Sequence, residues 1–300
     1  MAAHEHNRIF ITGGTGFVGT NILDQLNDSS FVVLSHGNKP DLEQRENVEV
    51  VHGDVTDPAS LSSAMDGCSM VIHLAAIIEE TGGATFDSVI RHGTENVLAE
   101  ARNAGINRFI HMSALGAHDD PAFPYMQAKW NAEQRVIASG MSYTIFRPSV
   151  IFGSGDGFIN ALAGVVKGFP IIPVVGDGLT CFQPVHVSEV ARSYLRAVED
   201  PDATTQSIFE LGGGKAYTYE ELLDVLQRQL GTSKRKIHLP VGLMSAVVTL
   251  SKPLPAAVKP PVTSEQLKML ALDNITDHSA TKQLIGTTPV ALEDAIDYIR

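Results

Sequence analysis

Apolar positions in the first half of the chain alternate between two periods. RIFIT (8–12) is a short apolar run of strand length, and FVGTNILDQLN (17–27) then places apolar residues at 17, 18, 22, 23 and 26, the spacing of a helix face. FVVLS (31–35) predicts a second strand and VEVVH (48–52) a third. Asp57-Pro58 joins a helix cap to proline at the first helical position and predicts a helix to about Met65. SMVIHLAA (69–76) reads as a fourth strand, residues 85–104 as a helix ending near Gly105, and RFIHMS (108–113) as a fifth strand. A helix starting at Tyr125 and a sixth strand, YTIFR (143–147), complete the series. Strands separated by helices imply βαβ crossovers and a parallel sheet.

Beyond Pro148 the alternation loosens and Gly and Pro become frequent. Two helices remain well marked. One runs from Ser188 to about Val198. The other, TYEELLDVLQRQLG, has Thr218 at its cap, Glu221 three residues on and Gly231 after its end. A Pro-rich stretch (253–261) precedes a final helical segment at 289–299. The expected division is a nucleotide-binding domain over 1–150, with some later segments returning to it, and a smaller substrate or interaction lobe over 151–300.

Composition narrows the classes. With 44% apolar and 19% charged residues the chain reads as soluble and globular. A formal charge of −12 argues against nucleic acid, which requires clustered Lys and Arg. The basic run Lys234-Arg235-Lys236 is expected to be a solvated turn. Cys68 and Cys181 lie far apart and suggest free thiols in a reducing compartment. Strand-like sequence begins at Arg8, leaving no room for a leader, so a cytoplasmic setting is expected. No apolar run approaches the roughly 20 residues of a membrane helix. VGLMSAVVTL (241–250) reads as a core helix or as a lobe touching lipid; peripheral membrane or complex association stays open. No metal site is expected: His4 and His6 flank Glu5 near a loose terminus, and no Cys/His cluster has zinc spacing.

TGGTGFVG (12–19) places Gly13, Gly16 and Gly19 three apart, after a strand and at a helix start. That context suits a dinucleotide: Gly13 permits the tight turn, Gly16 lets the backbone approach a pyrophosphate, and Gly19 lets the helix pack closely. The helix start at Gly16, Phe17 and Val18, with Thr15 before it, offers amide N–H groups to phosphates. The loop is G-x-x-G-x-x-G rather than G-x-G-x-x-G. Together with Tyr125-x-x-x-Lys129 it resembles the short-chain dehydrogenase/reductase superfamily, in its extended or atypical branch. The expected fold is α/β: a Rossmann-type doubly wound parallel sheet with a smaller, partly interleaved C-terminal lobe.

The end of the second strand selects the cofactor. NAD-binding folds place an acid there for the ribose 2′-hydroxyl. Here Ser35, His36, Gly37, Asn38 and Lys39 follow, with none acidic. His36 and Lys39 face toward a 2′-phosphate in this reading, which favours NADP(H) over NAD(H). The resemblance implies that Asp54-Val55 lies near the adenine, with Asp54 as a local turn residue the other reading. It also implies that Leu74, Ala75 and Ala76 let the cofactor lie against the backbone.

Residues four apart share a helix face, so Lys129 is expected beside the Tyr125 phenol and to lower its pKa. The resemblance implies that Tyr125 exchanges the proton and that Lys129 binds the nicotinamide ribose. It makes Ser113 the hydroxyl that polarises the reacting oxygen. Two departures stand out. Many extended members carry the hydroxyl where this chain has Ala114, and relatives often have Asn where it has Ile90.

INRFIHMSALGA, SYTIFRPSVIFGSGDGFIN (142–160), FQPVHVSEVA (182–191) and FELGGGKAYTYEELL are similar to the atypical group containing the nucleotide-binding accessory subunit of respiratory complex I and its bacterial relatives. Phe182-Gln183 stand where nucleotide-sugar enzymes often have an Arg for the diphosphate, which disfavours that substrate. The apolar stretch 240–262 reads either as a site for a lipid-like or quinone-like ligand or as a plain lid. His186 reads as a packed structural residue, and Arg147-Pro148 as a nicotinamide contact or a strand end. The expected function is hydride transfer to or from a small, apolar or quinone-like carbonyl or hydroxyl compound. The alternative is a non-catalytic cofactor-binding accessory protein.

Overall fold

The structure, a computed structural model, describes residues 7–244 and 264–300. Six strands and five helices alternate to Pro148. They are β1 (Arg8–Thr12), α1 (Phe17–Gln25), β2 (Ser30–Ser35), α2 (Pro40–Glu43), β3 (Val48–His52), α3 (Pro58–Leu61), β4 (Met70–His73), α4 (Gly93–Asn103), β5 (Arg108–Met112), α5 (Pro124–Ile137) and β6 (Ser142–Pro148). The sheet runs β3-β2-β1-β4-β5-β6, and a seventh strand, Ser207–Leu211, joins beyond β6. β1 to β6 pair in parallel, with Ile11 opposite Val33 and Ile72, and His73 opposite His111. Ile9, Phe10 and Ile11 are fully buried, because helices cover both faces of a parallel sheet.

The chain divides into two units by its contacts. One comprises the residues through Pro148 with Ser188–Glu210 and Gln283–Ile285; the other comprises Ser149–Val187, Leu211–Lys282 and Gly286–Arg300. The second contains β7 (Ile151–Phe152), α6 (Phe158–Gly168), β8 (Ile172–Val175), β9 (Cys181–Phe182) and β10 (Val185–His186). α7 (Val187–Glu199) belongs almost wholly to the first unit. The second unit continues, after β11 (Ser207–Leu211), with β12 (Tyr217–Thr218), α8 (Tyr219–Gln229) and β13 (Lys236–Leu239). Its core gathers Phe152, Ile159, Leu162, Phe182, Leu222 and Leu226.

Several elements differ from the sequence pattern. α3 starts at the Asp57 cap, whose carboxylate accepts the Ala59 N–H, but stops at Leu61. Ser62 turns extended and Ser63 takes φ +63°, so a turn rather than a helix buries Ala64 and Met65. β4 ends at His73, and Leu74–Ala76 leave the ladder. The helix expected from 85 opens with a wider π-type turn, Asp87–His92. The segment 289–299 holds only two short turns, Leu292–Asp294 and Asp297–Ile299. Leu292, Ile296 and Ile299 keep helix-like spacing, yet each side chain finds the core separately.

The capping box at Thr218 and Glu221 forms as its spacing predicts. Lys234-Arg235-Lys236 is not a solvated turn. Lys234 Nζ donates to the carbonyls of Val166, Lys167 and Phe169 at the end of α6, and Lys236, in β13, pairs with Glu220 and Asp224. Of the segment 241–250, residues 241–244 are helical, but Val241 and Leu243 are exposed and not part of a core; the rest, the Pro-rich stretch to 261 and His4–His6 lie outside the described residues. Among the described residues no helix is long and apolar enough to cross a membrane.

Candidate functional site

The glycine loop bridges β1 and α1 in very tight quarters. Gly13 has φ +71°, and a Cβ there would lie 2.9 Å from the Ala75 nitrogen and 3.0 Å from the Leu74 carbonyl carbon. This explains why β4 must end at His73: Leu74 and Ala75 form the wall against which the loop turns. Gly19 is packed against the loop itself rather than against the sheet, since its Cβ would fall 2.3 Å from the Gly13 oxygen and 2.5 Å from Gly14 Cα. Gly14, which the spacing did not single out, fits between Val33 and Ile11.

Gly16 is exposed and caps α1 without any side-chain hydrogen bond, and the first turn carries no acid. The first-turn amides, Phe17 and Val18 among them, are thus left to an external anion. Val18 points its side chain into the core and offers only its backbone; Thr15 and Phe17 are half-buried. A dinucleotide pyrophosphate fits this cradle on the ground that a side chain neither fills nor caps it.

At the strand ends beyond the loop, His36 and Lys39 are exposed, and His36 Nδ1 lies 3.5 Å from Asp54 Oδ2. Asp54 also accepts the Thr56 N–H, so it is a local turn residue with one carboxylate oxygen toward His36. Val55 is a packing residue: a Cβ on Gly93 would meet its side chain at 2.8 Å, and Asn96 donates to its carbonyl. Pro148 is buried and its carbonyl accepts the Leu115 N–H. Arg147 is engaged elsewhere, in a bidentate pair with the fully buried Glu133.

α5 starts one residue earlier than the pattern predicts, with Pro124 at its first position, and puts Tyr125 in its first turn. The phenol ring meets Phe86 edge-on at 5.6 Å and packs with Ile90, Ala128 and Ala132. Ile90 therefore supplies an apolar wall where an amide was absent. Lys129 is almost fully buried; its Nζ donates to the Met112 carbonyl at 3.0 Å and lies 6.0 Å from the Tyr125 ring centre. Ser113, next along, is buried, and its Oγ has no protein partner.

The expected lowering of the Tyr125 pKa does not occur in the free protein. Burial pushes the phenol up to about 12. Burial also draws the Lys129 amine down to about 8, with Glu133 opposing. Desolvation wins because the ammonium is spent on the Met112 carbonyl and is not in direct contact with the phenol oxygen.

A buried network that the sequence pattern did not reveal ties these parts together. Thr94 Oγ1 donates to the Ile90 carbonyl at 2.6 Å, so it accepts from His73 Nε2 at 2.9 Å. Thr12 Oγ1 accepts the Ala75 N–H at 3.2 Å, leaving its own proton for His73 Nδ1 at 2.7 Å. His73 is thereby a neutral Nε2–H imidazole, and burial holds it down at about 3, with the Lys129 charge adding to the effect. The only sequence signal was a histidine inside each of two apolar runs, VIH and FIH.

Stability should therefore depend on acid. Unfolded, His73 titrates near its ordinary 6.5; folded, near 3. Between these values the unfolded chain binds more protons, so the stability is complete above 6.5 and is lost as pH falls toward 3. At pH 5 the loss from His73 is about 2 kcal/mol. Urea midpoints measured at pH 7 and pH 5 should differ by at least this much in wild type and by less in His73→Asn, where His111, also held below its ordinary value by burial, keeps its own share; a wild-type midpoint indifferent to pH would contradict this.

In the second unit, Phe182 is buried and Gln183 is enclosed. The Gln183 amide donates to the Gly213 carbonyl and accepts the Thr276 N–H. His186 packs edge-on against Phe152 at 5.1 Å.

Comparison with known proteins places this geometry. The family model described as NAD(P)H-binding matches residues 13–158. A 3 beta-hydroxysteroid dehydrogenase/Delta 5→4-isomerase of Mycobacterium tuberculosis is 34% identical over 340 residues, covering 98% of this chain and 90% of the relative. The mitochondrial NADH dehydrogenase [ubiquinone] 1 alpha subcomplex subunit 9 of Arabidopsis thaliana is 28% identical over 290 residues, covering 91% and 71%. Among solved structures, DesIV, a dTDP-glucose 4,6-dehydratase of Streptomyces venezuelae, superposes with TM-score 0.75 at 20% identity over 97% of this chain and 95% of that one, a likeness of fold.

Proposed function

The chain belongs to the extended, NAD(P)H-binding branch of the short-chain dehydrogenase/reductase superfamily, and on that premise we propose that it is an NADP(H)-dependent oxidoreductase acting on a carbonyl or hydroxyl of a small, apolar or quinone-like compound. The observation that carries this reading is the uncommitted hydroxyl of Ser113. It sits next to the Met112 carbonyl that holds Lys129, one helical turn from Tyr125 on α5. A buried hydroxyl without a protein partner is costly unless a ligand oxygen completes it.

In this reading Gly13, Thr15, Gly16 and the amides of Phe17 and Val18 hold the pyrophosphate. Asp54, Val55, Leu74, Ala75 and Ala76 border the adenosine half, and Pro148 the other end. The cofactor supplies the hydride. Tyr125 gives its proton to the substrate oxygen, or takes it in the reverse direction. Ser113 orients that oxygen, and Lys129 binds the ribose and supports the phenol. The relative named for a hydroxysteroid favours an apolar hydroxy compound. The Phe182-Gln183 pair, which brings no positive charge where an Arg would grip a diphosphate, disfavours a nucleotide sugar. Free Cys68 and Cys181 support a reducing, cytoplasmic setting.

His36 and Lys39 support the 2′-phosphate preference. His36→Ala should weaken NADPH binding about fivefold, as for an exposed charge contact of about 1 kcal/mol, and leave NADH binding unchanged. Fluorescence titration with both nucleotides reads this directly, and equal losses for the two would remove His36 from the 2′ site.

An accessory, non-catalytic role is the second reading. It is favoured by the high phenol pKa against the Ile90 wall and by the respiratory-complex relative. The deciding test is nucleotide titration followed by a panel of ketones, aldehydes and quinones. Oxidation of bound NADPH by any member supports the enzyme; tight binding with no turnover supports the accessory role.

A further inference from the structure

β8 and β13 form a two-stranded parallel sheet in the second unit, with Pro173 opposite Ile237 and Val175 opposite Leu239. One face is settled: Ile172 and Val174 are buried in the core of that unit. Successive residues of a strand point to opposite faces and register partners share one, so Pro173, Val175, Ile237 and Leu239 stand on the outer face. All four are apolar. Ile237 is about half exposed, as are Ile171 just before β8 and Leu243 in the helical turn after Pro240. Val241 extends the surface: it is exposed, and its side chain reaches the end of β8, where a Cβ on Gly176 would lie 3.5 Å from it. Parallel strands are ordinarily covered on both faces, and contiguous exposed apolar surface marks a place of attachment.

Charge points to what covers it. Residues 225–264 hold six Lys or Arg and no Asp or Glu, in a chain with 34 acids and a formal charge of −12. On the sheet the two signs are sorted. Lys236 and His238 alternate to the other face, where Lys236 pairs with Glu220 and Asp224 of α8 and His238 lies 3.5 Å from Glu220. Arg235, two positions before Ile237, is exposed and makes no ion pair among the described residues. Asp177, in the turn after β8, has one carboxylate oxygen on the Leu179 N–H. An apolar face bordered by cations, in a stretch without acids, complements anionic headgroups laid over hydrocarbon. We propose that the outer face of β8 and β13, with the turn at 240–244, is a docking surface for an anionic lipid bilayer. The apolar side chains enter the boundary between headgroups and acyl chains, and Arg235 meets lipid phosphate. The attachment is peripheral, and it does not depend on the hydride-transfer reading.

The test is co-sedimentation of the full chain with vesicles of phosphatidylcholine alone and of phosphatidylcholine mixed equally with phosphatidylglycerol. Wild type should bind the mixed vesicles at least about tenfold more tightly, and the difference should shrink as salt rises from 50 to 500 mM. Ile237→Thr combined with Leu243→Ser should weaken binding at least about tenfold, because two apolar side chains are withdrawn from the bilayer. Arg235→Ala should weaken it about fivefold, and serves if the double variant folds poorly. Ile208→Thr, at an exposed isoleucine of β11, should bind as wild type. Melting temperatures of all the variants should stay at the wild-type value, since each replaces an exposed side chain. Failure of wild type to bind the mixed vesicles overturns the proposal, as does binding that survives both Ile237→Thr/Leu243→Ser and Arg235→Ala. Equal binding to the two kinds of vesicle also overturns it, because the charge argument then fails. Self-association in sedimentation velocity that the double variant abolishes, without vesicle binding, assigns the face to a second copy of the chain instead.

Discussion

Gly19→Ala is expected to abolish detectable binding of NADPH and NADH and to lower the melting temperature. The added Cβ would lie 2.3 Å from the Gly13 oxygen and 2.8 Å from the Gly14 carbonyl carbon, and backbone atoms cannot rotate aside as a side chain can. Gly13 is itself pinned, by φ +71° and by the Leu74–Ala75 wall. The helix must therefore retreat from the loop, which costs about 1–3 kcal/mol of stability by overpacking. It also carries the first-turn amides away from the phosphate position. A loss of affinity of at least about 100-fold is expected, roughly 2.7 kcal/mol. Gly16→Ala provides the contrast. Its Cβ meets only the Gly13 oxygen, at 3.3 Å, so melting should change little while affinity still falls, because the new methyl occupies the ligand side. Calorimetric binding and thermal melts of both variants separate the two roles. A Gly19→Ala protein that binds as wild type would contradict the loop geometry.

Tyr125→Phe should reduce turnover by about 10²–10⁴-fold, the usual contribution of a positioned acid, and leave NADPH affinity within about twofold. The ring keeps its contacts with Phe86 and Ile90, which do not involve the hydroxyl, so folding should be unaffected. For carbonyl reduction the phenol must enter protonated, and a pKa near 12 keeps it so throughout the accessible range. The rate should instead fall above about pH 8, as the Lys129 ammonium is lost. Steady-state rates on whichever ketone or quinone proves active, measured from pH 6 to 10, test both points. Undiminished turnover by Tyr125→Phe would move the proton donor elsewhere.

Much of this was legible in advance because parallel strands buried on both faces are apolar throughout. The runs at 8–12, 31–35 and 108–112 could hardly be other elements. The Thr218–Glu221 cap and the Asp57 cap were equally visible, since each is a contact between near neighbours. Failures came where a helix-like spacing was satisfied without a helix, as at Ala64–Met65 and Leu292–Ile299. Burial rewards the position of a side chain, whatever backbone delivers it. The Tyr125–Lys129 spacing correctly predicted a shared helical face, but the sign of the phenol shift was set by burial in the folded chain.

Local chemistry, then, determined the order of strands and helices, the glycine turn before α1 and the tyrosine and lysine one turn apart, because each depends on residues within a few positions. The tertiary fold alone decided that Gly19 packs on Gly13 and that Leu74–Ala75 close the loop. It alone set His73 between Thr12 and Thr94 and left His111 and Ser113 uncommitted beside Lys129. Those relations follow from the register of parallel strands distant in sequence and from the withdrawal of their ends from water, which a linear pattern does not encode.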